Sequence, residues 1–131
     1  VSRFEFSYMA QRRIDGKRRG PGSPKKLLET WREVTRASAG DLPLFIGGKS
    51  MGGRIASMIA DEPAVSGIVC LGYPFHPPGK PDKLRTEHLE SMSVPTLVVQ
   101  GERDPFGNRS EVLKYNLPGT IKVVWLPDGD H

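Results

Sequence analysis

Leu44-Phe45-Ile46-Gly47-Gly48-Lys49-Ser50-Met51-Gly52-Gly53-Arg54-Ile55-Ala56-Ser57-Met58-Ile59-Ala60 combines three signals in one short run. The apolar residues Leu44 to Ile46 follow Pro43 and suit a short central strand, whereas Ile55, Met58 and Ile59 recur at helical spacing. Between them stands Gly48-Lys49-Ser50-Met51-Gly52, a G-x-S-x-G. A serine lifted onto a sharp strand-to-helix turn has a strained backbone, and side chains two residues before and after it would collide there. Gly48 and Gly52 meet that demand. Gly53, Ala56 and Ala60 form a small-residue stripe through which the helix can approach the sheet, and its first turn points N–H groups at the serine. The N–H of Met51 is the candidate oxyanion donor.

A rival reading is a phosphate-binding loop, since Gly48-Lys49-Ser50 matches the end of G-x-x-x-x-G-K-[ST]. That motif needs a glycine where Pro43 stands and a loop where Leu44 to Ile46 read as strand. The segment Ala37-Ser38-Ala39-Gly40-Asp41 cannot supply the strand instead.

Outside this stretch, 131 residues fit one domain, which is short for a complete α/β enzyme. No apolar run approaches the roughly 18 residues of a membrane span, and no tripartite secretory start is present, so a soluble, cytoplasmic protein without a membrane partner is expected. The single cysteine, Cys70, excludes an internal disulfide framework and reads as a buried small hydrophobe in a reducing compartment. The net charge of +4 is local, because residues 1–40 carry ten Lys/Arg against four Asp/Glu. No aromatic residue lies between Arg12 and Lys26 for base stacking, so this segment reads as a solvated basic loop, with no nucleic-acid partner expected. The three histidines lack zinc-ligand spacing, and neither a metal nor another cofactor is expected.

Along the chain, Phe4, Phe6 and Tyr8 alternate as in a strand with one buried face. Residues 15–22 are a turn-rich loop, after which Ser23 caps a helix with Pro24 in its first turn and Leu27, Leu28, Trp31 and Val34 as its apolar stripe. Further strands read at Ile68 to Tyr73, Pro95 to Gln100 and Ile121 to Leu126. Asp82 is a candidate cap for a short helix through Leu84 and Leu89, and Asn108 or Ser110 for one around Glu111 to Tyr115. Strand and helix alternating in this way give an α/β fold, a mostly parallel sheet flanked by helices with right-handed crossovers.

Ser50, Asp104 and His131 each follow a predicted strand directly, which brings them to the C-terminal edge of a parallel sheet. Nucleophile, acid and histidine occur in that chain order. Glu102 and Asp130 are rival acids, but Glu102 is nearer the strand end and Asp130 adjoins His131, so Asp104 is preferred. Lys49, Tyr73, Phe75 and the proline-bound His76 read as substrate rim, and His88 as surface. Lys49 and Arg54 flank Ser50, where they would favour an anionic substrate or form structural ion pairs.

The stretches Gly48 to Arg54, Leu71 to Lys80, Gln100 to Gly107 and Asp128 to His131 together resemble the α/β-hydrolase-like group near dienelactone hydrolases. That group includes uncharacterised bacterial proteins and a chromatin-complex subunit of animals. Phe4 to Met9 is similar to its fourth strand. The resemblance implies a single partial α/β-hydrolase domain over 1–131, without the family's N-terminal strands and final helix. It also implies a serine hydrolase acting on an ester or related acyl bond of a small molecule, impaired by truncation. The alternative is a non-catalytic hydrolase-fold interaction module, against which the three retained residue types argue. Missing strands would leave a sheet edge open to self-association.

Overall fold

The computed structural model describes all 131 residues. Its centre is a four-stranded, wholly parallel sheet with β1 (Leu44–Lys49), β2 (Val65–Leu71), β3 (Thr96–Gly101) and β4 (Ile121–Leu126) in sequential order. Four helices accompany it: α1 (Ser7–Asp15), α2 (Pro24–Ser38), α3 (Met51–Ser57) and α4 (Arg109–Val112). Because every strand runs the same way, Ser50, Gly72, Glu102 and Pro127 all leave the sheet at one edge. The α/β fold with a parallel sheet flanked by helices is as expected.

Register sorts the strands into two faces. Ile46, Ile68, Cys70, Val98, Gln100 and Ile121 share one face and are buried. There α3 lies against β1 and β2, and α2 packs beside α3. The opposite face carries Phe45, Leu71, Val124 and Leu126, whose exposures of 65%, 48%, 38% and 50% mark it as largely open. With only four strands in sequence, β1 and β4 are both edges.

Several local expectations hold. Ser23 Oγ accepts from Lys26 N–H at 3.3 Å, and Pro24 stands in the first turn of α2. Leu27 and Trp31 are buried from the predicted stripe, joined by Thr35. Asn108, not Ser110, caps α4, with Glu111 closing a capping box.

Three do not hold. The Phe4, Phe6 and Tyr8 segment forms no strand; Phe6 instead precedes α1, whose Met9-Ala10-Gln11-Arg12-Arg13 are good helix formers. Phe4 finds its partner in Trp31 of α2, edge to face at 4.7 Å, so aromatic packing rather than sheet pairing explains the alternation. Gly16, at φ 70°, ends α1 in the left-handed conformation. Asp82 starts no helix; only a 3₁₀ turn, Glu87–Leu89, follows. His88 is not a surface residue either, because that turn folds it against α3, where Nε2 meets Ser57 Oγ at 2.9 Å.

Burial, with the Arg54 guanidinium adding to it and Glu87 opposing, holds His88 below its ordinary value of 6.5. A group whose folded value is depressed in this way costs stability once it must be charged. The loss begins as pH falls through 6.5 and is complete below the folded value. On acidification from about pH 7.5 to about pH 5.5, the urea midpoint of the wild type should therefore fall further than that of His88→Gln. Equal falls would contradict a half-buried, neutral imidazole.

Candidate active site

At the end of β1 the chain turns sharply. Ser50 takes φ 50° and ψ −120°, outside the regions a serine normally occupies, and such a residue stores on the order of 1–3 kcal/mol of strain. The surroundings hold it there. Its N–H donates to Leu71 O of the neighbouring strand at 2.8 Å, and its carbonyl accepts Arg54 N–H at 3.0 Å as α3 begins. Ser50 makes no side-chain cap bond to the helix, which leaves Oγ free for another partner. Met51, first residue of α3, has an N–H without an intrahelical acceptor.

That partner is His131. Its Nε2 lies 2.7 Å from Ser50 Oγ, and its Nδ1 lies 2.8 Å from Asp104 Oδ2. A carboxylate only accepts, so Nδ1 carries the proton and Nε2 is left to accept from the serine hydroxyl. Asp104 is fully buried, and Phe106 N–H reaches its second oxygen, Oδ1, at 2.8 Å. The rival acids are placed elsewhere: Glu102 pairs with Arg109 at 2.5 Å, and Asp130 is exposed.

The residues predicted for the rim separate. Lys49 is exposed beside Ser50, but Tyr73, Phe75 and His76 are buried. The proline-rich segment folds inwards: His76 N–H donates to Phe106 O at 3.1 Å, and Phe75 packs on Tyr73 and Tyr115. His76 sits between Pro77 O at 2.9 Å and Glu111 Oε2 at 3.2 Å, so it braces α4. Burial raises Tyr73 well above an ordinary phenol and pushes the Cys70 thiol up to about 12, which removes Cys70 as a rival nucleophile. A cavity of about 280 Å³ lined by Ser57, His88 and Met92 includes neither Ser50 nor His131.

Several residues that bear on this geometry escaped the sequence reading. Gly101 lets the last turn lie directly on β3, because a Cβ there would come within 2.5 Å of Gly129 O. Gly72, at φ 64°, faces His131, whose Nδ1 would be 3.3 Å from an added Cβ. Arg103 grips the same turn through its N–H to Gly129 O at 2.9 Å and its guanidinium to Asp128 O at 2.7 Å. The Phe106 ring lies against the imidazole with centroids 4.2 Å apart. Gln100, also fully buried, donates to Asp104 Oδ2 at 3.0 Å. The one visible signal for it was a polar residue ending an apolar strand.

A parallel sheet that carries serine, histidine and buried aspartate in hydrogen-bonded line at its C-terminal edge belongs to the α/β-hydrolase class of architectures. The sequence matches the family described as alpha/beta hydrolase domain over residues 1–131, and the chain belongs to that family. Among solved structures it is similar to the esterase domain from a Rhodothermus marinus protein, with TM-score 0.60 and 17% identity over 79% of this chain and 60% of that one. It is also similar to puromycin hydrolase, with TM-score 0.56 and 14% identity over 81% of this chain and 22% of that one. A mutant of puromycin hydrolase complexed with PGG gives TM-score 0.57 and 13% identity over 82% and 21%. The chain thus spans less than two thirds of each. No helix is long and apolar enough to cross a membrane.

Gly52 and Gly53 differ in a way the G-x-S-x-G pattern hides. A Cβ on Gly52 meets nothing within 4 Å, whereas one on Gly53 would lie 2.5 Å from Gly48 O and 3.2 Å from Cys70 Sγ. Gly48 is also tight, at 3.0 Å from the Gly52 backbone. The close contact is between the helix backbone and the strand, and the Gly52 side-chain direction points away from it. Chemical denaturation should show Gly52→Ala neutral or slightly stabilising, and Gly53→Ala destabilised by about 1–3 kcal/mol. The reverse order would contradict this packing.

Proposed function

We propose that this chain is a serine hydrolase acting on an ester or related acyl bond of a small molecule. His131 Nε2 takes the proton of Ser50 while Oγ attacks the acyl carbon, and the oxyanion forms beside the Met51 N–H. Asp104 keeps the imidazole in the Nδ1–H tautomer and stabilises its charged form. Collapse of the tetrahedral adduct expels the alcohol, which receives the proton from His131, and leaves an acyl-serine. Water, deprotonated in turn by His131, attacks that acyl group; the acid is released and Ser50 is regenerated.

The observation that carries this reading is the continuous line Ser50 Oγ to His131 Nε2 at 2.7 Å and His131 Nδ1 to Asp104 Oδ2 at 2.8 Å. Support also comes from the strained Ser50 backbone and from membership of a hydrolase family. Lys49, exposed next to the serine, is the one predicted rim residue that remains open to a substrate.

Activated aryl esters such as p-nitrophenyl acetate test it without knowledge of the natural substrate. The wild type should hydrolyse the ester with a burst of nitrophenol. Ser50→Ala should abolish the burst, and Asp104→Asn should lower kcat by about 10³–10⁴. A burst that survives Ser50→Ala would refute the proposal.

A further inference from the structure

We infer that Gln100 is the positioning residue for Asp104, a role that rests on the serine-hydrolase reading above. Gln100 lies on the helix-covered face near the end of β3 and has no solvent exposure. Tyr73 N–H, which only donates, meets Oε1 at 2.7 Å and so fixes which end of the amide is oxygen. Nε2 then faces three oxygens: Asp104 Oδ2 at 3.0 Å, Gly107 O at 3.1 Å and Tyr73 O at 3.2 Å. Two hydrogens serve three acceptors, and the shortest contact goes to the charged one, where a hydrogen bond is strongest.

The oxygen that Gln100 holds is the oxygen that receives His131 Nδ1–H. Phe106 N–H holds the other. Without Gln100, Oδ2 would be located by His131 alone, the group it has to orient, and the carboxylate could turn about its Cβ–Cγ bond. A glutamate in place of Gln100 would set oxygen against three oxygens, and an aliphatic residue would leave the Tyr73 N–H unpaired. Glutamine alone of these supplies an acceptor for the β2 exit and a donor for the aspartate from one side chain.

A glutamine that only tied loops together would leave His131 indifferent to its loss, so two readouts separate the roles. Ring ¹⁵N NMR of His131 should report a single Nδ1–H tautomer in the wild type and a mixture in Gln100→Met. An unchanged tautomer in a folded Gln100→Met overturns the inference. In aryl ester hydrolysis, Gln100→Met should lower kcat by about 10- to 100-fold with KM changed less than about twofold. The same change made in Asp104→Asn should cost less than about threefold more, and a full second loss in that background overturns the inference. Should Gln100→Met fail to fold, Gln100→Asn keeps an amide but is one methylene too short to reach both Tyr73 N–H and Asp104 Oδ2, and it carries the same cycle. An inactive wild type whose His131 tautomer still responds to Gln100→Met sinks the hydrolase reading and supports the positioning role. An active wild type with an unresponsive tautomer does the opposite.

Discussion

A carboxylate buried without partners is costly enough that a protein must either hydrogen-bond it or neutralise it. Asp104 is fully buried and is hydrogen-bonded by Gln100, Phe106 N–H and His131. These three come from the end of β3, from the turn that follows it and from the last turn beyond β4. Satisfying this one group therefore closes the C-terminal edge of the sheet. It also sets the proton on His131 Nδ1, from which the acceptor role of Nε2 toward Ser50 follows.

The serine side of the site depends on backbone strain rather than charge. Ser50 is held at φ 50° because the strand before it and the helix after it are both anchored, the strand by pairing with β2 and the helix by the close approach of Gly53 to Cys70. The histidine side depends on absent side chains. Gly72 and Gly101 leave room for the imidazole and for the backbone of the last turn, which Arg103 then fastens. An anchored serine, a closely seated turn and a satisfied carboxylate together give the line of bonds from Ser50 to Asp104.

Much of this was legible in the sequence because it rests on local patterns. Each of Ser50, Asp104 and His131 follows an apolar run that proves to be a parallel strand, so order and placement could be read without any side-chain geometry. What could not be read depends on where side chains turn. Three alternating aromatics are too few to distinguish a strand from a set of anchors, and Phe4 pairs with Trp31 instead of a sheet neighbour. A proline-rich loop announces irregular backbone but not its direction, and here it carries Tyr73, Phe75 and His76 inwards. Gln100 is the last residue but one of its strand, where polar residues are common, and only the three oxygens around its amide set it apart. Gly52 completes a motif, yet the tight contact belongs to Gly53, because a motif records positions and not the face a helix turns to the sheet.

The central claim is that Ser50 is an activated nucleophile. The most direct measurement is exposure of the folded chain to an active-site serine phosphonate, with the adduct located by peptide mass spectrometry in the wild type and in His131→Ala. The account predicts a single adduct on Ser50 in the wild type and its loss, or a rate lower by about 10³-fold or more, when the imidazole is removed. A folded wild type that forms no adduct, or labelling of Ser50 that proceeds equally without His131, would contradict it.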